Sequence, residues 1–180
     1  IKAPPVAAIA VDGQTHCAGQ LVLFDAAGSK DLENGRLRYQ WDLGDGELVE
    51  GINPVRTYRS GGDYRVRLTV TDDSGLPCDT GYAETLLHVI AAPIAEAGPD
   101  RTVCAYSPVS FDGGESDGGG RRIKTYEWDF GDGTSGVGPT PTHLYAEAGT
   151  YTARLVITVS GDSPCEAASE DEAEITVLGA

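Results

Sequence analysis

The chain writes one pattern twice. Trp41-Asp42-Leu43-Gly44-Asp45-Gly46 returns as Trp128-Asp129-Phe130-Gly131-Asp132-Gly133, a shift of 128 − 41 = 87 residues. Phe24/Phe111, Tyr39/Tyr126, Tyr58/Tyr145, Gly62/Gly149 and Tyr64/Tyr151 obey the same shift, as do Cys17/Cys104 and Cys78/Cys165. A period this long holds several strands, so it predicts two copies of one domain in tandem, residues 1–90 and 91–180.

Domains of that size bury only about 60–65% of their unfolded surface, and their stability margin is thin. Two cysteines per copy fit such a domain as disulfides in an oxidising compartment, because no CxxC or histidine pair points to zinc. The chain has no methionine and starts at Ile1. Its expected origin is therefore a processed or excised piece of a longer secreted or surface protein. No apolar run reaches the roughly 20 residues of a membrane span. The formal charge is 13 − 28 = −15. That weighs against nucleic acid, whose binding needs clustered Lys and Arg, and against anionic membrane surfaces, while the lack of a spanning apolar run predicts no membrane insertion.

Short β-rich runs separated by Gly, Pro, Asp and Ser predict an all-β fold, a sandwich in each copy. In Tyr64–Thr71 the residues Val66, Leu68 and Val70 point one way and Arg65, Arg67 and Thr69 the other. Leu21–Phe24 and Val109–Phe111 read as second strands, Leu37–Trp41 and Ile123–Trp128 as third strands. Thr85–Ile90 and Ala173–Leu178 read as last strands. The last pair needs a shift of 88, so the second copy carries one extra residue after its second cysteine. Trp41 and Trp128 extend the rows set by Leu37/Tyr39 and Lys124/Tyr126, which puts them at the core. Gly-Asp-Gly then supplies the positive-φ residues of a tight turn. The short Ala91-Ala92-Pro93-Ile94 joint is expected to be semi-rigid.

The combined motif Tyr-x-Trp-Asp-x-Gly-Asp-Gly, a Pro-x-x-x-Tyr step, a Gly-x-Tyr step and an alternating strand resembles the polycystic kidney disease (PKD) domain. Tyr39, Trp41, Asp42, Gly44, Asp45, Gly46, Pro54, Tyr58, Gly62 and Tyr64 carry it in the first copy. Tyr126, Trp128, Asp129, Gly131, Asp132, Gly133, Pro141, Tyr145, Gly149 and Tyr151 carry it in the second. The resemblance implies two tandem immunoglobulin-like β-sandwiches, a bacterial extracellular type with a cysteine pair per domain. It also implies work in spacing or contact rather than catalysis.

Four cysteines allow three pairings. Equal separations, 78 − 17 = 165 − 104 = 61, favour Cys17–Cys78 and Cys104–Cys165. Cys17–Cys165 stays open, because in an ordinary sandwich the turn before the second strand and the loop before the last strand lie at opposite ends, which would turn Cys17 toward the other domain. Asp31, Asp42, Asp117 and Asp129 are candidate calcium ligands, in loops of the kind that supply calcium oxygens. Lys30 stands where the second copy has Asp117, which tells against a shared site. No other cofactor is expected. His16, His88 and His143 do not recur at the repeat shift, and neither HExxH nor a nucleophile elbow is present. The function expected is that of a non-catalytic extracellular structural or adhesive module, a spacer or a building block of a surface array or filament. It would act by contact with proteins, identical copies among them. The alternative is an accessory module of a secreted hydrolase that binds polysaccharide or protein, with Tyr82 and Tyr106 as loop aromatics for a sugar.

Overall fold

The computed structural model describes residues 3–33, 35–76, 78–161, 165 and 167–179. It divides into two units, Ile1–Ala91 and Ala92–Ala180. The first unit runs β1 (Ala10–Val11), β2 (Thr15–Cys17), β3 (Leu21–Asp25), β4 (Leu37–Asp42), β5 (Leu48–Glu50), β6 (Val55–Thr57), β7 (Gly62–Asp72) and β8 (Thr80–Ile90). A sheet ordered β2-β8-β7-β4-β5 packs on a smaller one ordered β1-β3-β6. The second unit runs β9 (Arg101–Cys104), β10 (Pro108–Ser110), β11 (Ile123–Asp129), β12 (Ser135–Val137), β13 (Thr142–Leu144), β14 (Gly149–Val159) and β15 (Ala168–Leu178). Its sheets are β12-β11-β14-β15-β9 and β10-β13. Each unit is thus an all-β sandwich.

The alternating rows do what their spacing predicts. In β7, Val66, Leu68 and Val70 are fully buried, and in β14 so are Ala153, Leu155 and Ile157. Each unit closes its own core. Phe24 and Trp41 lie 5.6 Å apart in one and Phe111 and Trp128 5.1 Å apart in the other. A buried indole N–H needs an acceptor. Trp41 Nε1 donates to the Gly51 carbonyl at 2.9 Å and Trp128 Nε1 to Gly138 at 3.1 Å. Tyr39 and Tyr126 pack half-buried against these cores.

The last strands are longer than their sequence suggests. Thr80–Ile90 and Ala168–Leu178 each hold eleven residues, because pairing with β7 and β14 extends them outward through polar residues. The 88-residue offset between them holds. In the second unit a register shift between Ile123 and Thr125 breaks the expected Lys124/Tyr126 row. The bulge turns Lys124 out to solvent and packs Ile123 against the core, where the first unit uses Leu37. A bulge is how a strand carries one residue more than its partner accommodates.

In each unit one early strand runs parallel to the last, β2 beside β8 in the first and β9 beside β15 in the second. Thr15–Cys17 register with His88–Ile90, and Arg101–Cys104 with Ile175–Leu178. Further toward the start of each unit lies an isolated antiparallel bridge, Val6 to Lys30 in one and Ile94 to Asp117 in the other. The Lys/Asp exchange noted in the sequence thus falls where the backbone makes the contact.

Candidate functional site

The Trp-Asp-x-Gly-Asp-Gly motif builds a corner, with each residue type given a mechanical task. Asp42 and Asp129 accept the N–H of Gly44 and Gly131 two residues on, at 3.0 and 2.9 Å. Gly44 and Gly131 sit at φ 80°, Gly46 at 92° and Gly133 at 87°, the left-handed region that glycine enters without steric cost. A Cβ on Gly44 would also lie 2.7 Å from the Arg65 carbonyl oxygen. The Tyr58 hydroxyl donates to the Leu43 carbonyl and that of Tyr145 to Phe130. Burial pushes the Tyr145 phenol up to about 12, and Tyr58 shifts the same way for the same reason.

The second Asp of the motif meets a different partner in each unit. Asp45 takes the guanidinium of Arg56 on β6, which also reaches Glu47 at 2.6 Å. Asp132 accepts from His143 on β13 at 2.7 Å and from the Thr134 hydroxyl at 2.6 Å. Arg56 and His143 are repeat equivalents, 143 − 56 = 87. The His143 ring lies flat on Phe130, centroids 4.3 Å apart, with its other side against the edge of Tyr145. Burial alone would raise the Asp132 pKa. The hydrogen bonds from Thr134 and His143 outweigh that and hold it below 3.8.

The four candidate calcium ligands are each engaged in their own turn. Asp31 accepts the N–H groups of Glu33 and Gly35, and Asp117 that of Gly119. Asp42 and Asp129 cap the corner as above. Among the described residues, no three His, Cys, Asp or Glu side chains converge to hold a metal ion.

The expected disulfide pairing is corrected by the topology. Cys17 lies beside Ile90, the last residue of β8, whereas Cys78 precedes Thr80, its first. Ten residue steps along a strand span about 33 Å, and a disulfide bridges Cα atoms no more than about 7 Å apart. Cys104 beside Leu178 and Cys165 ahead of Ala168 repeat the arrangement. Neither Cys17–Cys78 nor Cys104–Cys165 can close within a unit. Cys17 and Cys165 are disulfide-bonded, and Cys104 is a free, exposed thiol.

Two surface features were not anticipated. The outward face of β3 and β6 carries Leu21, Leu23 and Val55, exposed by 56, 48 and 53%, with Leu23 directly opposite Val55. The strip borders an open depression of about 690 Å³ that Arg56, Arg59 and Tyr64 help to line. The signal was present: Leu21-Val22-Leu23-Phe24 is apolar on both faces, where the second copy reads Pro108-Val109-Ser110-Phe111. The other feature is Tyr106, 70% exposed at φ 60°, where the first unit has Gly19 at φ 84°. Tyr82 is not a loop residue. It sits within β8, with Arg67 4.7 Å above its ring.

The family model for the PKD domain matches twice, at residues 2–86 and 90–177. Collagenase ColA of Clostridium perfringens is 38% identical over 84 residues, 47% of this chain and 7% of that protein. The human dyslexia-associated protein KIAA0319 is 28% identical over 177 residues, 89% of this chain and 16% of that protein. The chain therefore spans only a small part of these relatives. Among solved structures, the PKD1 domain of the Vibrio cholerae metalloprotease PrtV is 31% identical, with a TM-score of 0.40. It matches over 47% of this chain and 95% of its own.

Proposed function

The chain belongs to the PKD domain family in both of its units, and from that premise we propose that it is a non-catalytic module of an extracellular protein, working by protein contact through the β3/β6 face of its first unit. The observation that carries this reading is the Leu21/Leu23/Val55 strip. Three aliphatic side chains left in water on a regular sheet face are the composition of a protein-binding patch. The strip is aliphatic, which favours a protein over a polysaccharide, because sugar rings stack on flat aromatic faces. The two exposed tyrosines do not form a paired platform: Tyr82 carries the Arg67 guanidinium on one ring face, and Tyr106 belongs to the other unit. The similarity to collagenases supports an accessory role beside a hydrolase acting on protein. The disulfide supports an oxidising, extracellular location.

Co-sedimentation with insoluble collagen, chitin and cellulose tests the reading. Retention on collagen that weakens at least about tenfold in a Leu23→Lys, Val55→Lys double variant, a loss of about 1.4 kcal/mol, is the expected result. Retention on chitin or cellulose that the double variant leaves unchanged would overturn it in favour of a sugar-binding module.

A further inference from the structure

Strand β6 is the edge of its sheet, with β3 as its hydrogen-bonded neighbour. The backbone bonds fix which way its polar groups aim. Phe24 N–H donates to the Pro54 carbonyl at 3.1 Å and Gly19 N–H to that of Tyr58 at 2.7 Å. Pro54 and Tyr58 therefore turn their backbone toward β3, and alternation turns the N–H and C=O of Val55 and Thr57 away from it. Neither Val55 nor Thr57 gives these groups another partner among the described residues. Such a row of donors and acceptors is a template for one more strand.

The second unit repeats this edge on β13, where Phe111 N–H donates to the Pro141 carbonyl. The side chains beside it differ. Leu21, Leu23, Val55 and Arg59 stand where the second copy has Pro108, Ser110, Thr142 and Ala146. Leu21 and Leu23 oppose Thr57 and Val55 in register, so the aliphatic strip runs right up to the open edge. Arg59 follows two residues after Thr57 and lines the adjoining depression. Its neighbour there, Arg56, is already taken by Asp45 and Glu47. Arg59 has no carboxylate partner among the described residues. An aliphatic row beside unused backbone groups, with an uncompensated cation at one end, defines the chemistry of an occupant.

We propose that the β6 edge takes an extended, non-helical segment of a partner protein as an added antiparallel strand, of the pattern acidic-x-aliphatic-x-aliphatic. This deepens the reading of the face as a protein-contact surface and rests on it. Residues opposite each other in an antiparallel pair share one face of the sheet. The two aliphatic side chains therefore lie beside Thr57 and Val55 and widen the Leu21/Leu23 strip. The carboxylate, two residues toward the segment's N-terminus, meets Arg59. Backbone bonds to Val55 and Thr57 supply affinity, and the strip and Arg59 supply register.

The test is fluorescence anisotropy of the full chain with a labelled peptide, Glu-Thr-Val-Thr-Val-Ser. Binding is expected. N-methylation of both valine amides, which face β6, should weaken it at least about tenfold, while N-methylation of both threonine amides, which face away, should change it less than about twofold. Thr57→Pro removes one edge N–H, leaves Leu21, Leu23 and Val55 in place, and should weaken binding at least about threefold. Arg59→Glu should reverse the preference, toward a peptide that starts with lysine. Absence of binding, or binding indifferent to valine N-methylation or to Thr57→Pro, overturns the proposal. Collagen retention separates this from the reading it rests on. Retention that responds to Leu23→Lys, Val55→Lys without any peptide binding sinks strand addition and keeps the contact face. Peptide binding without retention on collagen sinks the collagen contact and keeps strand addition.

Discussion

Glycine does two separable jobs in the Gly-Asp-Gly corner. Gly44 has both a positive φ and the Arg65 backbone 2.7 Å from where a Cβ would stand, whereas Gly46 has the φ alone, with open space around it. Gly44→Ala should therefore destabilise the first unit by about 3 kcal/mol, and Gly46→Ala by about 1 kcal/mol. Urea midpoints of the two variants would separate the terms; equal losses would mean that the close backbone approach is not what the position resists. Tyr106 poses the opposite case. Replacing it with glycine removes the left-handed penalty and adds freedom to the unfolded chain, so the expected net gain is less than about 1 kcal/mol.

The β11–β12 turn is clamped to β13 by Asp132 and His143, and the β4–β5 turn to β6 by Asp45 and Arg56. The folded Asp132 pKa lies below the ordinary 3.8. Its stabilising contribution is thus present above that value and is lost as pH falls through the depressed one. Asp132→Asn should flatten this acid limb for the second unit in a melting-temperature profile. The alkaline limb has the other sign. The Tyr145 phenol rises from 10.0 to about 12 on folding, so its contribution is complete below pH 10 and disappears as pH climbs toward 12. Tyr145→Phe should remove that dependence. Strands such as β7 and β14 were legible because a two-residue period with one buried face has a single register. The short β1, β2, β5 and β6 were not, since two or three residues cannot display a period. The bulge at Ile123–Thr125 escaped for a related reason: it is set by what β14 accommodates opposite. The Asp45–Arg56 and Asp132–His143 pairs join positions eleven residues apart across a turn, and only the fold brings them together. The cysteine positions were legible and their pairing was not, because equal separation in sequence carries no distance in space.

Two separate cores predict two separable transitions. Trp128 is buried to 2% within the second unit's cluster. Trp128→Ala should cost that unit about 3–5 kcal/mol and leave the first unit's transition in place, read by calorimetry as one peak moving away from another. With a formal charge of −15 per chain, copies repel at low ionic strength. The parallel pairing of β9 with β15 and of β2 with β8 has a mechanical side. A chain that enters a unit at the start of the first of these strands leaves it at the far end of the last. A pull on the two ends slides the strands past each other, so the hydrogen bonds from Arg101–Ile175 to Cys104–Leu178 must rupture together instead of unzipping in turn. With the Cys17 and Cys165 sulfurs reduced, so that the load runs through the strands, each unit is expected to resist stretching better than its thermodynamic margin alone implies.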